Sequence, residues 1–234
     1  MKDISLIGFM GCGKSSVGKE LAALLPECRL IDLDTYIEES QGMSIPEIFN
    51  EYGEAAFRRM EREALNGIFS DTGRPRAILS LGGGTVTSEE CRRLIRQNTE
   101  CFYLRATTET LLDNLEGHSA GRPMLAVPVA EPASASRQAP IAEPPKKVAV
   151  VRSVGEPVEP HQPVEAHRRT SPTVASTGSA TRVNSATGKR EALRQRIEDL
   201  MSTRSSQYLD TAHHVIDIDG QTFAQTAAIV KALL

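Results

Sequence analysis

The sequence predicts an α/β protein: a parallel β-sheet with helices on both faces, interrupted by a long stretch that carries no such pattern. Three observations lead there. Short apolar runs alternate with helical periodicity from residue 1 to about 117, the alternation stops between Val127 and about Gly188, and it resumes as helix, strand and helix to the C-terminus. Strand alternating with helix marks a parallel sheet, because each crossover must carry the chain back to the same end of the sheet.

The elements follow in order. "ISLIGF" reads as a buried strand, and "KSSVGKELAALL" places Val17, Leu21, Leu24 and Leu25 at helical spacing. "CRLIDLD", "RAILSLGGG" and "ECFYLRA" read as further strands, the first two ending in polar or Gly-rich turns. "PEIFNEYGEAAFRRMEREALNGIF" and "TSEECRRLIRQ" carry the 3.6-residue period. Residues 127–188 hold nine of the thirteen prolines and no Phe, Tyr, Leu or Met. Such a segment buries too little apolar surface to offset the entropy of ordering it, so it is expected to be a disordered insertion. Its one β-prone patch, "KKVAVVRSV" (146–154), is left without an assignment. Order is expected again at "KREALRQRIEDLMSTRSSQYLDTA", where Leu193, Ile197, Leu200 and Met201 form one stripe. "HHVIDID" then reads as a strand and "TFAQTAAIVKALL" as a closing helix. This tail is too small to hold a core of its own. Residues 1–234 are therefore expected to form a single domain, interrupted by 127–188.

Composition narrows the function classes. A net charge of −3 and a pI near 6.0 advertise neither a nucleic-acid face nor a polybasic membrane anchor. Cys12, Cys28, Cys91 and Cys101 are scattered without a CxxC pair, which favours reduced structural thiols. His118, His161, His167, His213 and His214 show no metal-ligand spacing. No apolar run is long enough for a membrane span or shaped like a signal peptide. A cytoplasmic monomer that binds neither nucleic acid nor membrane is expected.

The strongest chemical signal is Gly8-Phe9-Met10-Gly11-Cys12-Gly13-Lys14-Ser15, which matches G-x-x-x-x-G-K-[ST] between a strand and a helix. Glycines let the backbone curl around phosphate oxygens, and the helix N-terminus adds unpaired N–H groups. Gly11, Cys12, Gly13, Lys14, Ser15 and Ser16 are the candidate nucleotide-binding residues. Lys14 supplies a cation for the β- and γ-phosphates, and Ser15 a hydroxyl for Mg²⁺. The guanine-reading N-K-x-D is absent, which counts against a GTPase. "LIDLD" places Asp32 and Asp34 two apart at a strand's carboxyl end, where ligands sit in an open parallel sheet. One carboxylate would organise Mg²⁺ through water and the other meet an acceptor hydroxyl; N-capping of the next helix by Asp34 is the competing reading. Arg58 and Glu61, three apart, share a helix face, for which a surface ion pair is the usual explanation. Gly82, Gly83 and Gly84 form a second Gly-rich turn, which either lets backbone amides touch a small polar ligand or serves the fold alone.

In this order the pieces resemble the shikimate kinases. "GFMGCGKSSVGKELA", "IDLDTYIEESQGMSIPEIFNEYGEAAFRRMERE", "LSLGGGTV", "GRPML" and "RSSQY" are similar to that family's phosphate loop, Asp-x-Asp segment with substrate helices, Gly-Gly-Gly turn, lid and C-terminal arginine helix. The resemblance covers residues 1–125 and 189–234. It implies a P-loop kinase fold and transfer of a phosphoryl group from ATP, with Mg²⁺, to the 3-hydroxyl of shikimate. It further implies that Asp34 meets the reacting hydroxyl, that Asp32 sits beside Mg²⁺, and that Arg58 and Arg204 clamp the substrate carboxylate with Glu61 orienting Arg58. Gly82 to Gly84 would line the ring, and Arg122 would be the lid arginine that swings onto the phosphates. Two arginines around a carboxylate make physical sense, since planar guanidinium groups recognise it directionally.

The chain departs from the family twice. Near Asn114 members commonly have an arginine that packs over the adenine, and none is evident here. The insertion follows Leu125 directly. Each doubling of loop length costs only about 0.6 kcal/mol of closure entropy, so the fold tolerates it. Slower lid closure and an unidentified protein partner are the two consequences left open. Two other functions compete: a P-loop kinase of another small hydroxy acid such as gluconate, and a non-catalytic nucleotide-binding module.

Overall fold

The structure, a computed structural model, describes residues 2–116 and 179–234. Arg122 and the "GRPML" stretch, His118, His161, His167, the 146–154 patch and most of the 127–188 insertion lie outside these residues.

Strands β1 (Asp3–Ile7), β2 (Arg29–Asp32), β3 (Ala77–Ser80), β4 (Thr99–Arg105) and β5 (His214–Asp217) form one parallel sheet in the order β2-β3-β1-β4-β5. Helices α1 (Lys14–Leu24), α2 (Leu33–Gln41), α3 (Ile45–Ser70), α4 (Glu89–Asn98), α5 (Thr108–Glu116), α6 (Ser179–Thr211) and α7 (Phe223–Ala232) supply the crossovers and the end cap. Alternate strand positions feed two cores, as the two-residue period of a strand demands. Ile4, Leu6, Ile78, Phe102, Leu104 and Ile216 face Val17 and Leu21 of α1, Leu111, Leu112 and Leu115 of α5 and Ala227 and Val230 of α7. Ile7, Ala77, Leu79, Cys101 and Tyr103 face Leu33 and Ile37 of α2, Ile48, Phe57, Leu65 and Ile68 of α3 and Cys91 and Ile95 of α4. Helix α6 serves both, with Ile197 in the first core and Tyr208 in the second. The tail joins the sheet through β5, which pairs with β4 in register Phe102 to His214 through Arg105 to Asp217.

Chain order reverses at β1, which lies between β3 and β4. In an open parallel sheet the carboxyl ends of the strands flanking such a reversal leave a crevice. The phosphate loop, the end of β2 and the Gly-Gly-Gly turn all open onto that crevice.

The structure departs from the sequence expectations at four places. Strand β2 stops at Asp32, and Asp34 lies in the first turn of α2 instead of continuing the strand. The cause is local: the Asp32 carboxylate accepts from the Thr35 backbone N–H at 3.4 Å, so Asp32, and not Asp34, caps the helix. Helices α2 and α5 were not read from the pattern, being short and carrying few apolar residues each. Helix α3 is two segments meeting at Gly53, whose φ of 76° and ψ of 173° break the helical path. The φ lies in the left-handed region that glycine enters without a Cβ penalty. Helix α6 begins at Ser179, inside the expected insertion. Once the packed stripe pays for nucleation, helix extends over neighbouring residues at little cost, and no proline lies between Pro172 and that stripe.

Candidate active site

The phosphate loop is a set of backbone turns that only glycine accepts. Gly8, Gly11 and Gly13 have φ of 148°, 84° and 86°. A Cβ on Gly8 would also meet the Leu104 carbonyl oxygen at 2.6 Å. Lys14 is buried, and its ammonium donates to the carbonyls of Gly8 and Phe9 at 2.9 and 3.0 Å. The loop thus holds its own cation folded inward. Cys12 is fully buried, with its backbone N–H turned to the Phe9 carbonyl at 3.3 Å. Its side chain therefore packs beneath the loop and faces no ligand.

The loop and the strand ends share one cleft of about 870 Å³. Gly11, Gly13, Lys14, Ser15 and Ser16 line its phosphate-loop side. Asp32, Asp34, Arg58, Glu61, Gly82 to Gly84 and Arg204 line the rest. Every sequence-predicted site residue is there except Cys12, packed below, and Arg122, which lies outside the described residues. Between the two halves, the Ser15 hydroxyl donates to Asp32 Oδ2 at 2.7 Å and lies 3.1 Å from the Ser80 hydroxyl. This set of oxygens, next to a phosphate loop, suits a hard cation that keeps waters and phosphate oxygens as its other ligands. Among the described residues no cluster of three or more His, Cys, Asp or Glu could hold a metal by itself.

Asp34 sits where burial and neighbouring charges act together on one carboxyl. Burial, then the negative charges of Asp32 and Glu61, push its pKa up to about 6, against the opposing pull of Lys14. The group is thus ionised at neutral pH yet basic enough to accept a proton.

The second compartment is built around Arg58. Its Nη1 donates to Glu61 Oε2 at 2.7 Å and its Nη2 to Glu54 Oε1 at 2.9 Å. Glu61 is fully buried, and its other oxygen accepts from the Thr85 hydroxyl at 2.5 Å. The pair is therefore an anchored element of the cleft and not the surface bridge that spacing alone suggests. Burial opposes the Arg58 charge, but Glu61 and Glu54 outweigh it and raise the guanidinium pKa. Helix α6 delivers Arg204, 4% exposed, to the same cleft. Arg58 Nε and Arg204 Nη1 are both buried and have no hydrogen-bond partner. Unpaired buried donors are costly, and both belong to residues that line the cleft.

The triple-glycine turn explains itself by what a side chain would hit. A Cβ on Gly82 would lie 2.9 Å from Asp34 Oδ1 and one on Gly83 3.0 Å from the Met10 backbone nitrogen, while one on Gly84 would overlap the Arg58 guanidinium, 2.7 Å from its Cζ. The turn touches the carboxylate, the phosphate loop and the arginine in succession. Tyr208 fixes it from beneath: its hydroxyl donates to the Gly83 carbonyl and its ring stacks on Tyr103 with centroids 5.0 Å apart.

Four residues here escaped the sequence reading. Glu54 and Tyr208 lie inside quoted motifs, four residues from Arg58 and Arg204, a helical spacing that could have flagged them. Thr85 had no signal beyond following the glycines. Phe223 reads as a helix core residue, yet it is 46% exposed, lines the cleft and lies against Gly13, where a Cβ would meet its ring at 2.5 Å. Asn114 lines the same end and donates to the Gly11 carbonyl at 2.9 Å.

The fold and site define a P-loop nucleotide-binding α/β protein with a second, arginine-lined compartment facing the phosphate loop. Comparison with known proteins narrows the class. The family model described as shikimate kinase matches residues 10–146, more than half of the 234-residue chain. The chain belongs to the shikimate kinase family. A shikimate kinase of Thermus thermophilus is 44% identical over 124 residues, 53% of this chain and 65% of the relative. One from Alkaliphilus oremlandii is 43% identical over 125 residues, 53% of this chain and 72% of the relative. The chain thus spans just under two-thirds of the Thermus relative's length. Among solved structures, a shikimate kinase from Acinetobacter baumannii in complex with shikimate aligns over 100% of this chain and 92% of its own, with 25% identity and a TM-score of 0.67.

Proposed function

We propose that the chain transfers the γ-phosphoryl group of ATP to the 3-hydroxyl of shikimate, giving shikimate 3-phosphate for aromatic amino acid biosynthesis. The observation that carries this reading is that Arg58 and Arg204, each with a buried and unpartnered guanidinium N–H, line the same cleft as the phosphate loop and Asp34. Family membership and the shikimate complex of the Acinetobacter neighbour support the choice of acid.

Phosphoryl transfer asks a protein mainly for positioning and for charge that meets the transferring group. Backbone amides of Gly11, Gly13, Lys14, Ser15 and Ser16 receive the phosphates. Lys14 exchanges the Gly8 and Phe9 carbonyls for phosphate oxygens, and its inward fold keeps it within reach. Ser15, with Asp32 behind it, would hold Mg²⁺, which when bound would neutralise phosphate charge. Arg58 and Arg204 seat the carboxylate, Glu61 fixes Arg58, and Gly82 to Gly84 allow the ring to approach closely. Asp34 hydrogen-bonds the 3-hydroxyl and takes its proton as the new bond forms. The base of ATP lies toward Asn114 and Phe223. Arg122, outside the described residues, is the cation that the family resemblance assigns to the phosphates, and a kinase of this kind must keep out water, which would otherwise hydrolyse ATP. The reading places the protein in the cytoplasm as a monomer of one domain interrupted by the insertion. No helix among the described residues is long and apolar enough to cross a membrane.

A coupled ADP-release assay with ATP, Mg²⁺ and shikimate, quinate or gluconate tests the assignment. Shikimate-dependent release well above the other acids is expected. Gluconate-dependent release would favour the other small-acid kinase, and no acid-dependent release the non-catalytic module.

A further inference from the structure

The guanidinium of Arg58 is shared by two carboxylates of unlike character. Glu61 is fully buried and engaged through both oxygens, to Arg58 and Thr85. Glu54 is 52% exposed at its side chain and takes Nη2. Together Nε and Nη2 form the side-on fork that binds a carboxylate bidentately. In this structure one tine of that fork is on Glu54 and the other, Nε, is buried with no partner. Glu54 follows Gly53, where the two segments of α3 meet, so its backbone stands at a break in the helix.

We propose that Glu54 is an internal competitor for the substrate carboxylate, holding the Nη2 side of the Arg58 fork until an acid displaces it. The inference rests on the carboxylate-clamp reading above. Glu61 cannot play this part, because removing it from Arg58 would strand a buried charge. Glu54 can, because its carboxylate returns to water when it leaves. The contact holds Arg58 in place in the absence of acid, at the cost of weaker acid binding.

Substitution separates competition from support. In the full chain, Glu54→Gln keeps the shape but removes the charge, and Glu54→Ala removes both. Initial rates and calorimetric binding of shikimate are measured beside wild type. An exposed ion pair of this kind predicts that Kd and KM for shikimate fall by about two- to fivefold in Glu54→Gln, with KM moving more than kcat and KM for ATP unmoved. Glu54→Ala gives a fall at least as large. A KM for shikimate that rises or stays put in both variants, with wild type binding shikimate, overturns the competitor and makes Glu54 a support for Arg58. Wild type that neither binds nor phosphorylates shikimate overturns the underlying reading along with it.

Discussion

Replacing Gly84 by Ala isolates the link between the triple-glycine turn and Arg58. Gly84 has φ −106° and ψ −4°, a bridge-region conformation that is open to alanine and needs no positive φ, so the backbone adds little strain to the change. The new Cβ would overlap Arg58 Nη2 and stand 2.7 Å from its Cζ and Nη1. Ordinary contact is about 3.5–4.0 Å, so the guanidinium must retreat by roughly 1 Å or more. That retreat weakens the charge-assisted bond to Glu61 and misplaces the donor meant for the acid. A hydrogen bond to a charged group contributes about 1.5–3 kcal/mol, which corresponds to roughly a ten- to 150-fold loss in kcat/KM for shikimate. The KM for ATP should be nearly unchanged, because the clash is confined to the acid's side of the cleft. Steady-state kinetics with each substrate varied, beside a thermal melt to confirm folding, reads this out. A folded Gly84→Ala enzyme within twofold of wild type for shikimate would refute the assignment of Arg58.

Neighbouring contacts predict four further outcomes. With the Asp34 pKa raised to about 6, kcat/KM should fall as pH drops through that value, whereas an ordinary carboxylate would hold the profile flat to about 4. The folded carboxyl binds its proton more tightly than the unfolded one, so Asp34 favours the fold as pH falls through about 6 and opposes it above. Asp34→Asn should therefore abolish turnover while raising stability at pH 7 by as much as about 3 kcal/mol, measured by denaturant titration. Tyr208→Phe leaves the Gly83 carbonyl without its donor and should cost about 1–3 kcal/mol of stability in the same titration. Phe223→Ala should raise KM for ATP and leave KM for shikimate alone, since the ring lies against Gly13 at the nucleotide end; equal effects on both would remove Phe223 from the base site.

How much of this was legible in the sequence depended on how local each requirement is. The phosphate loop was legible except for Cys12, which packs beneath it, because the loop's glycines, lysine and serine serve one another within eight positions of a strand-to-helix turn. The five strands were legible because each is an apolar run bounded by turn residues. Asp34 was found for a partly wrong reason: the two-residue spacing suggested a shared strand face, while the Asp32 cap had already started the helix. Spacing placed Arg58 beside Glu61 but could not say that Glu61 is buried, which is what turns a surface bridge into an anchor. Arg204 reached the site only through the family resemblance, since its distance in sequence from Arg58 carries no periodic signal. Phe223 was invisible for a different reason. An aromatic at the start of an amphipathic helix ordinarily enters the core, and only the packing of α7 beside the phosphate loop leaves this one in the cleft.

The proposed function stands or falls on Arg58 and Arg204 selecting an acid by its carboxylate. Turnover of shikimate against its methyl ester, at saturating ATP and Mg²⁺, puts that selection to the test. The ester keeps the ring and the hydroxyls but presents no charge to the two unpartnered donors. Deprived of two charge-assisted hydrogen bonds, the ester should show a kcat/KM lower by about a hundredfold or more. Equal turnover of acid and ester would mean that the two arginines do not read the carboxylate.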